Sequence, residues 1–250
     1  MENNITPVEM ADILYTVVEE QWGVTDVFCE EKRQANQMAM KIVRDIEKES
    51  SGGNWPLKTY AKLAALGNQI DLGAHEVNLE RFEQELLDKA KALTFALDAF
   101  ESFEHKLKNA KTVLFILDNA GEVVFDRLFM KKIKETHPNV DLYAAVRGRT
   151  ILNDVTVTDA EYVGLREVSQ VINSGSMYPG IVIGKTSQAF SEIYNKVDLI
   201  ISKGQGNFEG LSSNANERLF FCLMVKCDTI SKYIGIPKGS TVFSNAIKIK

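Results

Sequence analysis

The chain of 250 residues is 45% hydrophobic and 25% charged, enough to bury a sizeable core in one large domain or two small ones. Its formal net charge of −5 argues against a nucleic-acid partner, since general nucleic-acid binders carry a basic balance. No apolar run reaches the roughly 20 residues that span a bilayer. Met1-Glu-Asn-Asn also lacks the basic start and apolar core of a signal peptide, so the expectation is cytoplasmic residence without a membrane partner.

Up to about residue 109 the pattern is helical. Thr6-Pro7 reads as an N-cap and a first helical position, and Met10, Ile13, Leu14, Val17 and Val18 then share one helix face. Residues 30–46 and 78–100 carry similar spacing, and Pro56 opens a further helix with Tyr60, Leu63 and Leu66. Ser50-Ser-Gly-Gly-Asn54 reads as a loop. Cys29, Cys222 and Cys227 form no disulfide framework or zinc pair by their spacing, and are expected to be buried, reduced thiols.

After residue 110 apolar strands alternate with helices: 112–117, 142–146, 168–172, 197–202 and 219–225, with a late strand near 240–243 that fits a sheet edge. This predicts an α/β fold, a mainly parallel sheet with helices on both faces over residues 110–250. The helical subdomain of residues 1–109 is expected to pack as a cap over the strand ends, where sites form between such units.

Open α/β sheets bind ligands at the carboxyl ends of their strands. Four such ends carry polar residues that packing does not explain. They are Asp118-Asn119 with Glu122; Arg147-Gly148-Arg149-Thr150 with Asn153-Asp154; Asn173-Ser174-Gly175-Ser176 with Pro179-Gly180; and Lys203-Gly204-Gln205-Gly206-Asn207-Phe208-Glu209. Phosphoryl chemistry needs neutralised oxygens, an in-line nucleophile and a stabilised leaving group. Asp118, Asn119 and Asp154 would offer three oxygens to one Mg²⁺ or Mn²⁺, with positions left for water and substrate. Lys203 is a compact cation for phosphate. Gly204 and Gly206 allow a backbone that turns amides toward an anion, reinforced if a helix starts near Asn207. Plainer readings exist for each group taken singly. Asp118 and Asn119 fit an N-cap or turn, Asn153-Asp154 a loop, and Lys203-Gly-Gln-Gly a glycine turn. Glu122 and Glu209 suit a helix dipole, and Arg147 and Arg149 suit solvated loop charge. Their convergence on one face of one sheet favours a site. The chain has no Gly-x-x-x-x-Gly-Lys-Ser/Thr loop, and no Gly-x-Gly-x-x-Gly after its first strand.

Leu117-Asp-Asn-Ala-Gly-Glu122, Ile151-Leu-Asn-Asp154, Gly175-Ser176 with Pro179-Gly180, and Ser202-Lys-Gly-Gln-Gly-Asn-Phe-Glu209 resemble the DUF89 family, the metal-dependent damage-control phosphatases. Ala65-Leu-Gly-Asn-Gln-Ile-Asp-Leu-Gly73 is similar to that family's helical segment. The similarity runs in order over nearly the whole chain and is strongest to the compact prokaryotic branch. It implies a Rossmann-like α/β/α domain with a helical amino-terminal subdomain. It also implies phosphatase activity on small phosphorylated metabolites, sugar phosphates or damaged phosphometabolites, with Mn²⁺, Co²⁺, Ni²⁺ or Mg²⁺. By matching motif, Asp118, Asn119 and Asp154 would hold the metal, and Lys203 the phosphoryl group. Gly175 and Ser176 would line the substrate pocket, with Glu122, Arg147, Asn153, Gly204 and Gly206 beside them. Asn68 and Asp71 are further candidates whose other reading is a helix C-cap and loop. The chain lacks the paired-cysteine segment that often opens that branch. The nucleophile is either a water on the cation or Asp118. The competing readings are a SAM-dependent carboxyl methyltransferase and a non-catalytic phosphometabolite sensor. Oligomeric state, preferred metal and physiological substrate are not legible.

Overall fold

The computed structural model describes residues 17, 20–21, 23, 26–51, 55–67, 79–214 and 216–245. The readings of Thr6-Pro7, of the helix face from Met10 to Val18 apart from Val17, of loop residues 52–54, and of Asn68 and Asp71 lie outside the described residues.

Four helices come first: α1 (Cys29–Ser51), α2 (Leu57–Leu66), α3 (Leu79–Ala92) and α4 (Phe100–Leu107). α1 takes in Ser50 and Ser51, which the sequence placed in a loop. The helical pattern over 78–100 ends at Ala92 and α4 begins only at Phe100, because residues 96–99 line the edge of the sheet. Ala96 N–H donates to Thr241 O, Phe243 N–H to Leu97 O, and Ala99 N–H to Phe243 O. Asp98 then starts α4 by accepting from Phe100 N–H at 3.0 Å.

The remainder is β1 (Thr112–Ile116), α5 (Glu122–Thr136), β2 (Asp141–Val146), α6 (Val157–Tyr162), β3 (Gln170–Asn173), α7 (Gln188–Lys196), β4 (Leu199–Lys203), α8 (Gln205–Leu211), β5 (Leu219–Met224), α9 (Asp228–Ile234) and β6 (Thr241–Ser244). The sheet order is β3-β2-β1-β4-β5-β6. Neighbours are parallel except β5–β6, which is antiparallel, and β6 lies at the edge where the late strand was expected. β1 has β2 on one side and β4 on the other, so the winding reverses beside it, the position at whose carboxyl end open α/β sheets place ligands.

Strand side chains alternate between two cores. Val113, Phe115 and Leu117 face the core shared with α1 to α6, together with Leu199 and Ile201 of β4. Leu114, Ile116 and Ile200 face the core of α7, α8 and α9. Burial on both faces explains why the strands read as unbroken apolar runs.

The helical part packs on one face of the sheet as well as reaching the strand ends, where Asn36 of α1 meets Gly121 and Ala64 of α2 meets Lys203. Residues from α1 to α4 fill the same core as one face of the sheet, and Gly67, just past α2, abuts the Phe125 ring of α5. The physical reason is that α5 exposes an apolar back of its own, which α1 and α2 cover. No helix among the described residues is long and apolar enough to cross a membrane.

Candidate active site

The segments that leave β1 and β2 are zipped together by their backbones. Val155 N–H donates to Asp118 O at 2.8 Å and Ala120 N–H to Asn153 O at 2.9 Å, making an antiparallel bridge between Asn119 and Asp154. This pairing brings two motifs 35 positions apart side by side. Gly121, at φ 79°, opens α5, and its N–H donates to Asn36 Oδ1 of α1 at 2.7 Å. No side chain caps that helix, so Asp118 and Asn119 are not N-caps. Asp154 is no cap either: α6 starts at Thr156, whose N–H and hydroxyl both donate to Asp159.

The side chains thus freed converge. Asn119 Nδ2 donates to Asp118 Oδ2 at 2.8 Å. Arg147 Nε donates to Asp154 Oδ2 at 2.5 Å, and its Nη2 lies 3.4 Å from Asp118 Oδ1. Arg147 is 1% exposed, so it is not a solvated loop charge, and its Nη1 has no hydrogen-bond partner. Burial, then the charges of Asp154 and Glu122, push the Asp118 carboxyl well above the ordinary carboxylate range, against Arg147 and Lys226. Burial likewise raises Asp154, with Arg147 opposing.

Lys203 has a different setting from the one expected. Alternation along β4 puts it on the same face as Leu199 and Ile201, toward α5. Its ammonium donates to Ala64 O at 2.9 Å, Glu122 Oε1 at 2.6 Å and Asp126 Oδ1 at 2.7 Å. Those are all three of its donors. Burial works against its charge, but Asp126 and Glu122 outweigh burial and raise its pKa. Asp126 is itself pushed up to about 7 by burial. Lys203 therefore binds α2 and α5 to the sheet, and Glu122 is its ion-pair partner.

The glycines make room for neighbouring chain. A Cβ on Gly204, at φ 77°, would overlap the Asp118 carboxylate, so the glycine lets β4 end against that side chain. Gly206 is backed by the Pro179 carbonyl, where a Cβ would not fit, and α8 begins at Gln205 with seven residues. Gly175 packs on Ser187 and Gly148 on Gly175. Ser176 Oγ donates to Gly180 O at 2.6 Å and accepts from Tyr178 N–H at 3.3 Å, so it shapes the loop after β3. A hollow of about 110 Å³, lined by Thr112, Tyr143, Ile193, Lys196 and Val197, lies at the opposite end of the strands, away from this chemistry.

Four buried carboxylates, Asp118, Glu122, Asp126 and Asp154, therefore surround two buried cations, Arg147 and Lys203. Uncompensated buried charge is costly, so the cluster fits a further divalent cation. Among the described residues no three His, Cys, Asp or Glu side chains group to hold a metal. The candidate donors are instead two carboxylates and an amide, an all-oxygen set suited to hard ions.

Residues 1–242 match the damage-control phosphatase ARMT1-like domain family. A damage-control phosphatase of Pyrococcus horikoshii is 35% identical over 239 residues, covering 96% of this chain and 81% of the relative. One from Archaeoglobus fulgidus is 30% identical over 236 residues, covering 93% and 80%. A crystal structure of a DUF89 family protein from Pyrococcus horikoshii superposes with a TM-score of 0.87 at 33% identity, covering 94% of this chain and 81% of that one. The chain belongs to this family.

In this ARMT1-like domain, several buried polar residues that no motif marks tie the elements together, Asn36, Lys32 and Asp126 among them. Asn36 ties α1 to the start of α5. Lys32, 2% exposed, pairs with Asp159 at 2.7 Å and Asp26 at 2.9 Å, joining α1 to α6. Asp126 completes the Lys203 cluster. The available signal was polarity inside an apolar helix face: Asp126 stands among Val123, Val124, Phe125 and Leu128, one turn after Glu122. The thiol reading is also revised, since Cys222 is buried but Cys29 is exposed and Cys227 intermediate; all three are free.

Proposed function

We propose that this protein is a divalent-metal-dependent phosphomonoesterase acting on small phosphorylated metabolites, sugar phosphates or damaged phosphometabolites among them. The observation that carries the reading is the pair of buried carboxylates with one amide where the segments leaving β1 and β2 meet, in a family named for phosphatases. Asp118, Asn119 and Asp154 would hold Mn²⁺, Mg²⁺, Co²⁺ or Ni²⁺. The ion would supply Lewis-acid charge at the phosphoryl oxygens.

The chain's own groups do the rest. Arg147 fixes the Asp154 carboxylate, and its unpaired Nη1 would offer a charge-assisted donor to the phosphoryl group in a poorly solvated place. Glu122 and Lys203 set the start of α5 against the end of β4, and with them the spacing of Asp118 from Gly204. Burial keeps bulk water away from the carboxylates, which strengthens every charge interaction there.

A methyltransferase reading gains nothing from the geometry. The one glycine after β1, Gly121, packs on Ala35 and spends its amide on Asn36. A screen of phosphate release over a panel of phosphometabolites and divalent ions tests the proposal. Ion-dependent turnover supports it, and no turnover with any ion, alongside binding of a sugar phosphate, would favour a sensor.

A further inference from the structure

Asp154 N–H donates to Ile151 O at 3.1 Å, closing a turn whose second residue is Leu152. Leu152 has φ 47°, the one left-handed backbone outside glycine among the described residues. Turns with a positive φ at that position favour Gly, Asn or Asp, because a larger side chain crowds the following carbonyl. Burial does not offset the strain, since Leu152 is 42% exposed. The backbone around it is over-determined instead. Ile151 is fully buried, Asn153 O accepts from Ala120 N–H, and Val155 N–H donates to Asp118 O. Strain held in place beside functional groups points to a use. The loop after β3 is tied to the same segment, with Gly148 N–H donating to Ser176 O at 2.8 Å, and its next residue, Met177, is 44% exposed. Two joined loops therefore flank the buried Asp154–Arg147 pair with large, exposed apolar side chains.

We propose that Leu152 is a specificity-determining residue, whose side chain packs on the carbon skeleton of the ester when the phosphoryl group lies at Asp154 and Arg147. Leu152 stands two positions before Asp154, at most about 7.5 Å along the backbone, so the first carbons of the alcohol fall within its reach. The contact favours phosphomonoesters with C–H surface next to the ester, as sugar and alkyl phosphates have. It disfavours esters with a second negative charge there, which an apolar side chain cannot solvate. Met177, flexible and polarisable, lets the joined loop follow skeletons of different shape. The identity of the ligand rests on the phosphatase reading, whereas the apolar contact is measurable without turnover.

The test compares wild type, Leu152→Gly and Leu152→Asn by calorimetric titration with methylphosphonate, butylphosphonate and orthophosphate, all with Mn²⁺, and by KM on the best phosphomonoester. A phosphonate has no ester bond to hydrolyse, so its binding is read whether or not the protein turns over. Both replacements accept a left-handed backbone, so the turn is kept. Wild type should bind butylphosphonate about fivefold to tenfold more tightly than methylphosphonate. Each replacement should cut that preference to less than about twofold and raise KM about fivefold, the mark of lost ground-state binding. The Kd for Mn²⁺, the Kd for orthophosphate and the thermal midpoint should stay as in wild type. Turnover by wild type with the butyl preference retained in both replacements, or absent from wild type, would overturn this proposal and leave the phosphatase reading intact. A lower thermal midpoint with weaker Mn²⁺ binding in both replacements would also overturn it, since the leucine would then be holding the Asp154 turn. Absence of turnover in wild type, with a butyl preference that still depends on Leu152, would overturn the phosphatase reading and uphold the recognition role.

Discussion

Replacing Lys203 by methionine separates a structural cation from one that holds substrate. The side chain is fully buried, with two carboxylates and a carbonyl at 2.6, 2.7 and 2.9 Å. Methionine matches much of its volume but leaves Glu122 and Asp126 buried against each other without a countercharge. Removing one partner of a buried ion pair costs about 3–5 kcal/mol. For a chain of this length that corresponds to a fall in thermal midpoint of roughly 6–20 °C. Urea unfolding followed by far-ultraviolet circular dichroism measures the loss directly. Adding Asp126→Asn should cost less in Lys203→Met than in wild type, since it then neutralises a stranded charge, and a double-mutant cycle reads that coupling. A Lys203→Met protein within about 1 kcal/mol of wild type would refute the reasoning, because hydrogen bonds to a charged group alone are worth more than that.

Other consequences follow from the same geometry. Gly204→Ala places a methyl group into the Asp118 carboxylate at a positive φ, so it should abolish phosphate release and lower the thermal midpoint, whereas Gly184→Ala, with nothing near its Cβ, should suffer only backbone strain. Asp198 accepts from Lys111 N–H and from Thr112 N–H and hydroxyl, joining the start of β1 to β4. Desolvation raises its pKa, but these bonds outweigh it and hold the carboxyl below its usual value. A depressed folded pKa gives stability that is present above the unfolded pKa and is lost as pH falls through the folded one. Asp198→Asn should therefore cost about 1 kcal/mol near neutrality and flatten the acid limb of stability against pH, as urea midpoints across pH 2 to 7 would report. Thiol titration of the native protein should find Cys29 reactive and Cys222, pushed up to about 12 by burial, silent until denaturant is added.

The parallel sheet was legible because its strands are buried on both faces and so read as short apolar runs with polar ends. The groups at the end of β1 were legible for the same reason, since Asp118 and Asn119 interrupt a run that packing alone would have continued. Lys203 misled because its distance along the chain, at a strand end beside glycines, was weighed above its parity with Leu199 and Ile201, which turns it toward α5. Its partner Asp126 was hidden by standing in mid-helix, where an acid normally faces water. The close approach of the loop after β3 to Gly206 is announced by no local pattern, since the Pro179 carbonyl reaches it from 27 positions away. The division at residue 110 follows composition faithfully, but packing crosses it, because the back of α5 needs α1 and α2.

The central claim is that Asp118 and Asp154 act as a pair on one divalent ion beside the phosphoryl group. Its most direct test is Mn²⁺ titration of wild type, Asp118→Asn and Asp154→Asn, by calorimetry and by phosphate release in the same preparations. Wild type should bind about one ion per chain, and each variant should lose both ion binding and more than roughly a hundredfold of turnover. Full ion-dependent turnover in either variant would contradict the account.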